Sequence, residues 1–78
     1  MSNRAEIFKG HALMLRPDCG KWIAWWKDKD VAEISKSING RYLIELCYSQ
    51  DGYILRDEAD SLDESWKLLK HYIVFLKM

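Results

Sequence analysis

The chain has 78 residues, room for a single domain over residues 1–78, and a chain this short buries only about 60% of its unfolded surface on folding. Its core must therefore be heavy, and four Trp, four Tyr and two Phe supply that weight and argue against disorder. Twelve Lys and Arg balance twelve Asp and Glu, which leaves no basic excess to neutralise phosphates or to draw the chain to an anionic membrane, while near-zero net charge eases self-association.

From the N-terminus, Arg4, Glu6, Lys9 and His11 interrupt the apolar core that a signal peptide needs, and no apolar run approaches the length of a membrane span. Cys19 and Cys47 stand far apart in sequence, without CxxC or a His pair, so neither a disulfide framework nor a zinc site is expected. Reduced thiols and the missing signal peptide together predict a cytoplasmic protein.

Turn signals then recur along the chain at Pro17-Asp18-Cys19-Gly20, Asp28-Lys29-Asp30, Asn39-Gly40 and Asp51-Gly52. Spacing of this kind predicts short antiparallel strands, placed at residues 11–16, 21–27, 31–37, 41–49 and 53–57. Residues 30–39 also fit a helix, with Asp30 and Glu33 as a capping box, Val31, Ile34 and Ile38 on one face and Gly40 as the terminating glycine. The strand is preferred because Val31, Ile34 and Ile38 are β-branched, Ser35 and Ser37 are poor helix interiors, and Asn-Gly between apolar segments signals a hairpin. A three-residue loop of Ile38, Asn39 and Gly40 sets Ile34 opposite Ile44 and Ala32 opposite Leu46, the register that matches apolar with apolar.

Extending that register with two-residue loops at Asp28-Lys29 and Asp51-Gly52 and a four-residue loop at 17–20 sorts the strand residues onto two faces. One face collects Ala12, Met14, Ile23, Trp25, Ala32, Ile34, Tyr42, Ile44, Leu46, Tyr48, Tyr53 and Leu55, the predicted core. The other carries Leu13, Leu15, Trp22, Trp26 and Val31 at one end and Glu33, Ser35, Arg41, Glu45, Cys47 and Arg56 toward the other.

A helix follows. Ser61 begins a capping box with Glu64, and Leu62, Trp66, Leu69, Ile73 and Leu76 recur at spacings of four and three as one apolar stripe. Asp60, Asp63 and Glu64 suit the positive end of the helix dipole, and Lys70 and Lys77 its negative end. The fold class is therefore α+β: an antiparallel β-meander of about five short strands packed on one face by a C-terminal helix, with ββαββα, residues 30–39 helical, as the alternative.

Function is less legible. There is no P-loop, GxGxxG, HExxH or GxSxG pattern, so nothing names a reaction, and no enzyme, cofactor or metal role is expected. Glu33, Glu45 and Glu58 fall in a row on the outer face, where a solvated surface with Arg41 and Arg56 nearby accounts for them better than a cation site does. His11 and His71 have no catalytic partner in sequence, and the acidic cluster at 57–64 is explained by the helix N-terminus. The apolar surplus on the outer face remains. It predicts a non-enzymatic module that binds a protein partner, or itself as a homodimer, through Trp22, Trp26, Leu13, Leu15 and Val31. A nucleic-acid binder using Lys21, Lys27, Lys29 and Arg41 with exposed Trp rings as stacking platforms is the second reading, disfavoured by the charge balance.

Overall fold

Three two-residue turns set the front half of the molecule. Lys9 and Gly10 (φ 51° and 79°), Cys19 and Gly20 (50° and 83°) and Lys27 and Asp28 (52° and 63°) all take positive φ. That is the type I′ geometry, whose twist matches a tightly paired hairpin. A computed structural model of the chain describes residues 4–47 and 55–78 and gives the order β1 (Arg4–Phe8), β2 (His11–Asp18), β3 (Lys21–Trp26), β4 (Lys29–Lys36), β5 (Tyr42–Leu46), β6 (Leu55–Ala59) and α1 (Leu62–Phe75). The six strands form one antiparallel sheet in sequence order, closed on one face by the C-terminal helix.

The architecture is thus the α+β meander that the turn spacing predicts, with six strands rather than five. The additional strand is β1, paired with β2 from Arg4 opposite Leu15 to Phe8 opposite His11. The helical alternative for residues 30–39 is overturned, because Lys29–Lys36 is strand. The expected register holds between β4 and β5: Ile34 faces Ile44 and Ala32 faces Leu46, and Ser37 N–H donates to Arg41 O (2.8 Å) across the Ile38-Asn39-Gly40 loop. Gly40 has φ 85°, a conformation that costs a residue with a Cβ. The Asp51-Gly52 turn and the placements of Tyr48 and Tyr53 lie outside the described residues.

Between β3 and β4 the expected register fails by one residue. The turn is Lys27-Asp28, not Asp28-Lys29, so Trp26 pairs with Lys29 and Trp25 with Asp30. Past a bulge, Ala24 pairs with Ala32, which leaves Val31 as the extra residue of β4, its carbonyl accepting from Cys47 N–H (2.8 Å). A one-residue shift turns every side chain of the preceding strands over. The face of β2 and β3 that points to the helix is therefore Leu13, Leu15, Trp22, Ala24 and Trp26, and Ala12, Met14, Ile23 and Trp25 point outward. This corrects the expected placement of Leu13, Leu15, Trp22, Trp26 and Val31 on the outer face. Leu13, Leu15 and Trp26 are completely buried, Val31 is 1% exposed, and all four belong to the same core as Ile34, Ile44, Leu69 and Ile73. Trp22 is half-buried on that same side, with its ring 5.9 Å from that of Tyr42.

The turn at 17–20 is also shorter than expected, because β2 runs through Pro17 to Asp18, which pairs with Lys21. Proline is tolerated there because the described pairing of β1 with β2 ends at Leu15, so its missing N–H breaks no ladder bond on that side.

The helix is capped as the sequence predicts on one side of the box. Ser61 Oγ accepts from Glu64 N–H (3.1 Å), while the Glu64 carboxylate accepts from Asp60 N–H (3.1 Å), one residue further back than a reciprocal box would have it. At the other end Lys77 (φ 56°) donates to Val74 O and Met78 to Ile73 O, a Schellman closure. Trp66, Leu69 and Ile73 are buried, as the stripe requires. No helix among the described residues is long and apolar enough to cross a membrane.

Both edge strands reach this helix, from opposite flanks. On one flank Trp66 Nε1–H donates to Glu6 Oε1 (2.7 Å), Lys70 Nζ donates to the same oxygen (3.0 Å), and Arg4 pairs with Asp63. On the other, the Tyr72 hydroxyl donates to Asp57. At 100° per residue Trp66 and Lys70 lie on a different side of the helix from Tyr72, so the sheet must curl around it.

Candidate interaction surface

The outer face of the sheet divides by chemistry. On β1, β2 and β3 it presents Ala5 opposite Met14, Ile7 opposite Ala12, and Met14 opposite Trp25. Ile7 is 73% exposed, Ala5 and Ala12 are exposed, and Met14 and Trp25 are half-buried. Ala5, Glu6, Ile7, Ala12 and Met14 line a shallow depression there. Ile23, flanked in register by Arg16 and Glu33, is the residue of this face that is largely shielded, at 9% exposure.

Across β4, β5 and β6 the same face is polar. Glu33 stands directly opposite Glu45, an unfavourable pair relieved at both ends. Lys21 Nζ donates to Glu33 (2.6 Å), which raises the lysine's pKa, and Arg56 Nε donates to Glu45 (3.0 Å). The predicted row of three carboxylates is broken, since Arg56 sits opposite Glu45 and Glu58 falls opposite Leu43. Arg16 and Asp30 form a longer contact of 3.8 Å between the two halves. Among the described residues no three His, Cys, Asp or Glu side chains converge to hold a metal ion.

Both cysteines are free thiols. Cys19 occupies an exposed turn. Desolvation, and then the charges of Glu33, Asp30 and Glu45, push the Cys47 thiol up, away from the thiolate that a nucleophile needs. The rings of His11 and His71 both engage aromatic neighbours, His11 edge-on to Trp26 (5.9 Å) and His71 stacked on Phe75 (6.3 Å).

Of the five residues expected to form a binding patch, then, four are core and Trp22 lines it. The apolar side chains on the outer face of β1, β2 and β3 are instead Ala5, Ile7, Ala12, Met14 and Trp25, beside the shielded Ile23, and sequence reasoning assigned them to the core or left them unplaced. Ile38 in its loop and Val74 and Phe75 on the helix are exposed as well, away from this face. Compared with protein-family models, curated proteins and solved structures, the chain matches none. Its chemistry has to be read from this surface alone: it can bury apolar area against a partner, and its edge strand can extend the sheet.

Proposed function

We propose that this protein is a non-enzymatic interaction module that binds protein through the outer face of β1, β2 and β3. The observation that carries this reading is Ile7, 73% exposed on an edge strand and contiguous in register with Ala5, Ala12, Met14 and Trp25 beneath no described element. Isolated surface hydrophobes mean little, whereas a contiguous patch on one sheet face is the usual mark of a contact surface. Trp and Met are also among the residue types enriched at such surfaces.

Support for nucleic acid is weaker. Lys21 and Arg41 are engaged by Glu33 and Asp60, and the buried Trp26 ring offers no face on which a base can stack.

The test replaces Ile7 by Asp and Trp25 by Ser, with Arg56→Glu on the polar half as the control. Self-association, or retention of a partner on the immobilised chain, should weaken by about ten-fold or more in the first two and stay unchanged in the third. Thermal unfolding should move little in any of them. Equal binding by all four proteins overturns the proposal.

A further inference from the structure

We infer that this chain pairs with a second copy of itself, joined edge to edge by an antiparallel β1–β1 ladder centred on Glu6; this rests on the interaction reading above and makes the two outer-face patches one continuous surface. The backbone supplies the first reason. A two-residue turn at Lys9-Gly10 makes Phe8 and His11 the pair that exchanges hydrogen bonds next to the loop. Bonding alternates along an antiparallel strand, so Phe8, Glu6 and Arg4 turn their N–H and C=O toward β2. Ala5 and Ile7 turn theirs toward the open edge.

The strand is complementary to itself. A two-fold axis at Glu6 sets Ala5 of each copy against Ile7 of the other, so every outward N–H and C=O of the two residues finds a partner. On the outer face a small side chain then lies beside a large one, and the two apolar patches become continuous. On the inner face the two Glu6 carboxylates meet at the axis, each already holding its own Lys70 at 3.0 Å, so four charges cancel where two alone would repel. Charged side chains directed inward ordinarily blunt a sheet edge against pairing. Here Arg4 is held by Asp63 and Glu6 by Lys70 and Trp66, and pairing leaves neither charge without a partner.

The opposite edge does not serve. β6 places Arg56 and Glu58 on its outer face and Asp57 on its inner one, so a β1–β6 contact would set charges beside Ala5 and Ile7. Such a head-to-tail contact also propagates into open arrays, whereas the two-fold β1 ladder closes at a dimer.

Sedimentation equilibrium up to about 1 mM protein should show a monomer–dimer equilibrium. Hydrogen exchange on the unaltered chain should show the Ala5 and Ile7 amides gaining protection as concentration rises, while the Glu6 amide, already bonded to β2, does not change. Ala5→Pro removes an outward N–H and no β1–β2 bond, so it should keep the fold and raise the dimer dissociation constant by about ten-fold or more. Should that variant not fold, the exchange measurement on the unaltered chain decides alone. A monomer throughout the range overturns the second copy as partner and leaves the outer face to be judged by Ile7→Asp on retention of another protein. A dimer whose Ala5 and Ile7 amides exchange freely overturns the edge ladder; if Ile7→Asp and Trp25→Ser still weaken that dimer the outer-face reading stands, and if they do not, both fall.

Discussion

The two edge strands of the sheet are the same length and do the same thing on the inside, yet they differ completely on the outside. β1 fastens one flank of α1 through Glu6 and Arg4, and β6 fastens the other through Asp57 and Tyr72. Both fasteners are polar because they lie on the flanks of a single helix, about 10–12 Å across with its side chains, where its surface meets water. On the outer face β1 offers Ala5 and Ile7, while β6 offers Arg56 and Glu58. The inward residues answer the requirements of the fold at both ends. What fastening the helix does not explain is the apolar outer side of β1, and that is why function is sought there.

The largest effect should come from breaking the fastening of β1 at its apolar root. Trp66 is 6% exposed and supplies both ring packing and the indole donor to Glu6. Trp66→Ala should cost about 3–5 kcal/mol, comparable with the whole stability of a domain this size, so little folded protein should remain at room temperature by circular dichroism. Trp66→Phe keeps most of the bulk and leaves Lys70 on Glu6, so it should cost much less. Equal losses would mean that the hydrogen bond, not the packing, holds β1 to the helix.

A smaller effect should come from the β6 side. Tyr72→Phe removes the donor to the Asp57 carboxylate and should cost about 1.5 kcal/mol, at the low end for a bond to a charged group because both residues are partly exposed. pH sharpens the comparison. The bonds from Lys70 and Trp66 lower the pKa of Glu6, and the bonds from Tyr72 and from Glu58 N–H lower that of Asp57. A lowered carboxylate pKa stabilises the fold above the unfolded value and stops doing so as pH falls through the folded one, so acid should loosen both edges. The bond to Asp57 raises the pKa of Tyr72. That contribution is complete below the unfolded tyrosine value and is lost as pH rises through the folded one, so alkali should loosen the β6 side through this pair. The melting temperatures of the unaltered chain and of Tyr72→Phe should therefore converge at both extremes of pH. A gap that persists in acid would show that Asp57 is not the acceptor that matters.

These contrasts also explain what was legible in the residues. The helix could be read because Ser61 with Glu64 and the stripe from Leu62 to Leu76 encode start, face and length locally. The β4–β5 register could be read because Asn39-Gly40 fixes the loop and only one register matches Ile34 with Ile44. The faces of β2 and β3 could not be read in the same way. Lys-Trp-Ile-Ala-Trp-Trp is apolar on both sides, so alternation does not choose between Trp22 with Trp26 and Ile23 with Trp25. The choice passed to the turn after Trp26, where Lys and Asp adopt positive φ without a glycine to announce it, and to a bulge at Val31 that no residue type marks. Together they moved the register by one residue and exchanged core for surface. That β2 and β3 would carry an apolar surplus outward was readable; which side chains formed it was not. β1 was missed because Arg4 and Glu6 look like surface residues, and their inward position makes sense only once the helix flank with Asp63, Trp66 and Lys70 is in place.

The smallest effect should come from the outer face of β6. Arg56 lies opposite Glu45, which in turn faces Glu33, so removing the guanidinium leaves two carboxylates directly opposed, with Lys21 still bonded to Glu33. The pair is nonetheless largely in water, with the arginine side chain 63% exposed, and exposed pairs are worth less than about 1 kcal/mol. Arg56→Gln should therefore lower stability only slightly in a low-salt urea titration, and the loss should shrink toward zero near 1 M salt, where the screening length is about 3 Å. Self-association should be untouched, since this side chain lies on the polar half of the face, away from Ala5 and Ile7. A loss that survives high salt would place Arg56 among the structural residues and erase the contrast between the two edges. A change in self-association would instead move the contact surface from β1 to β6.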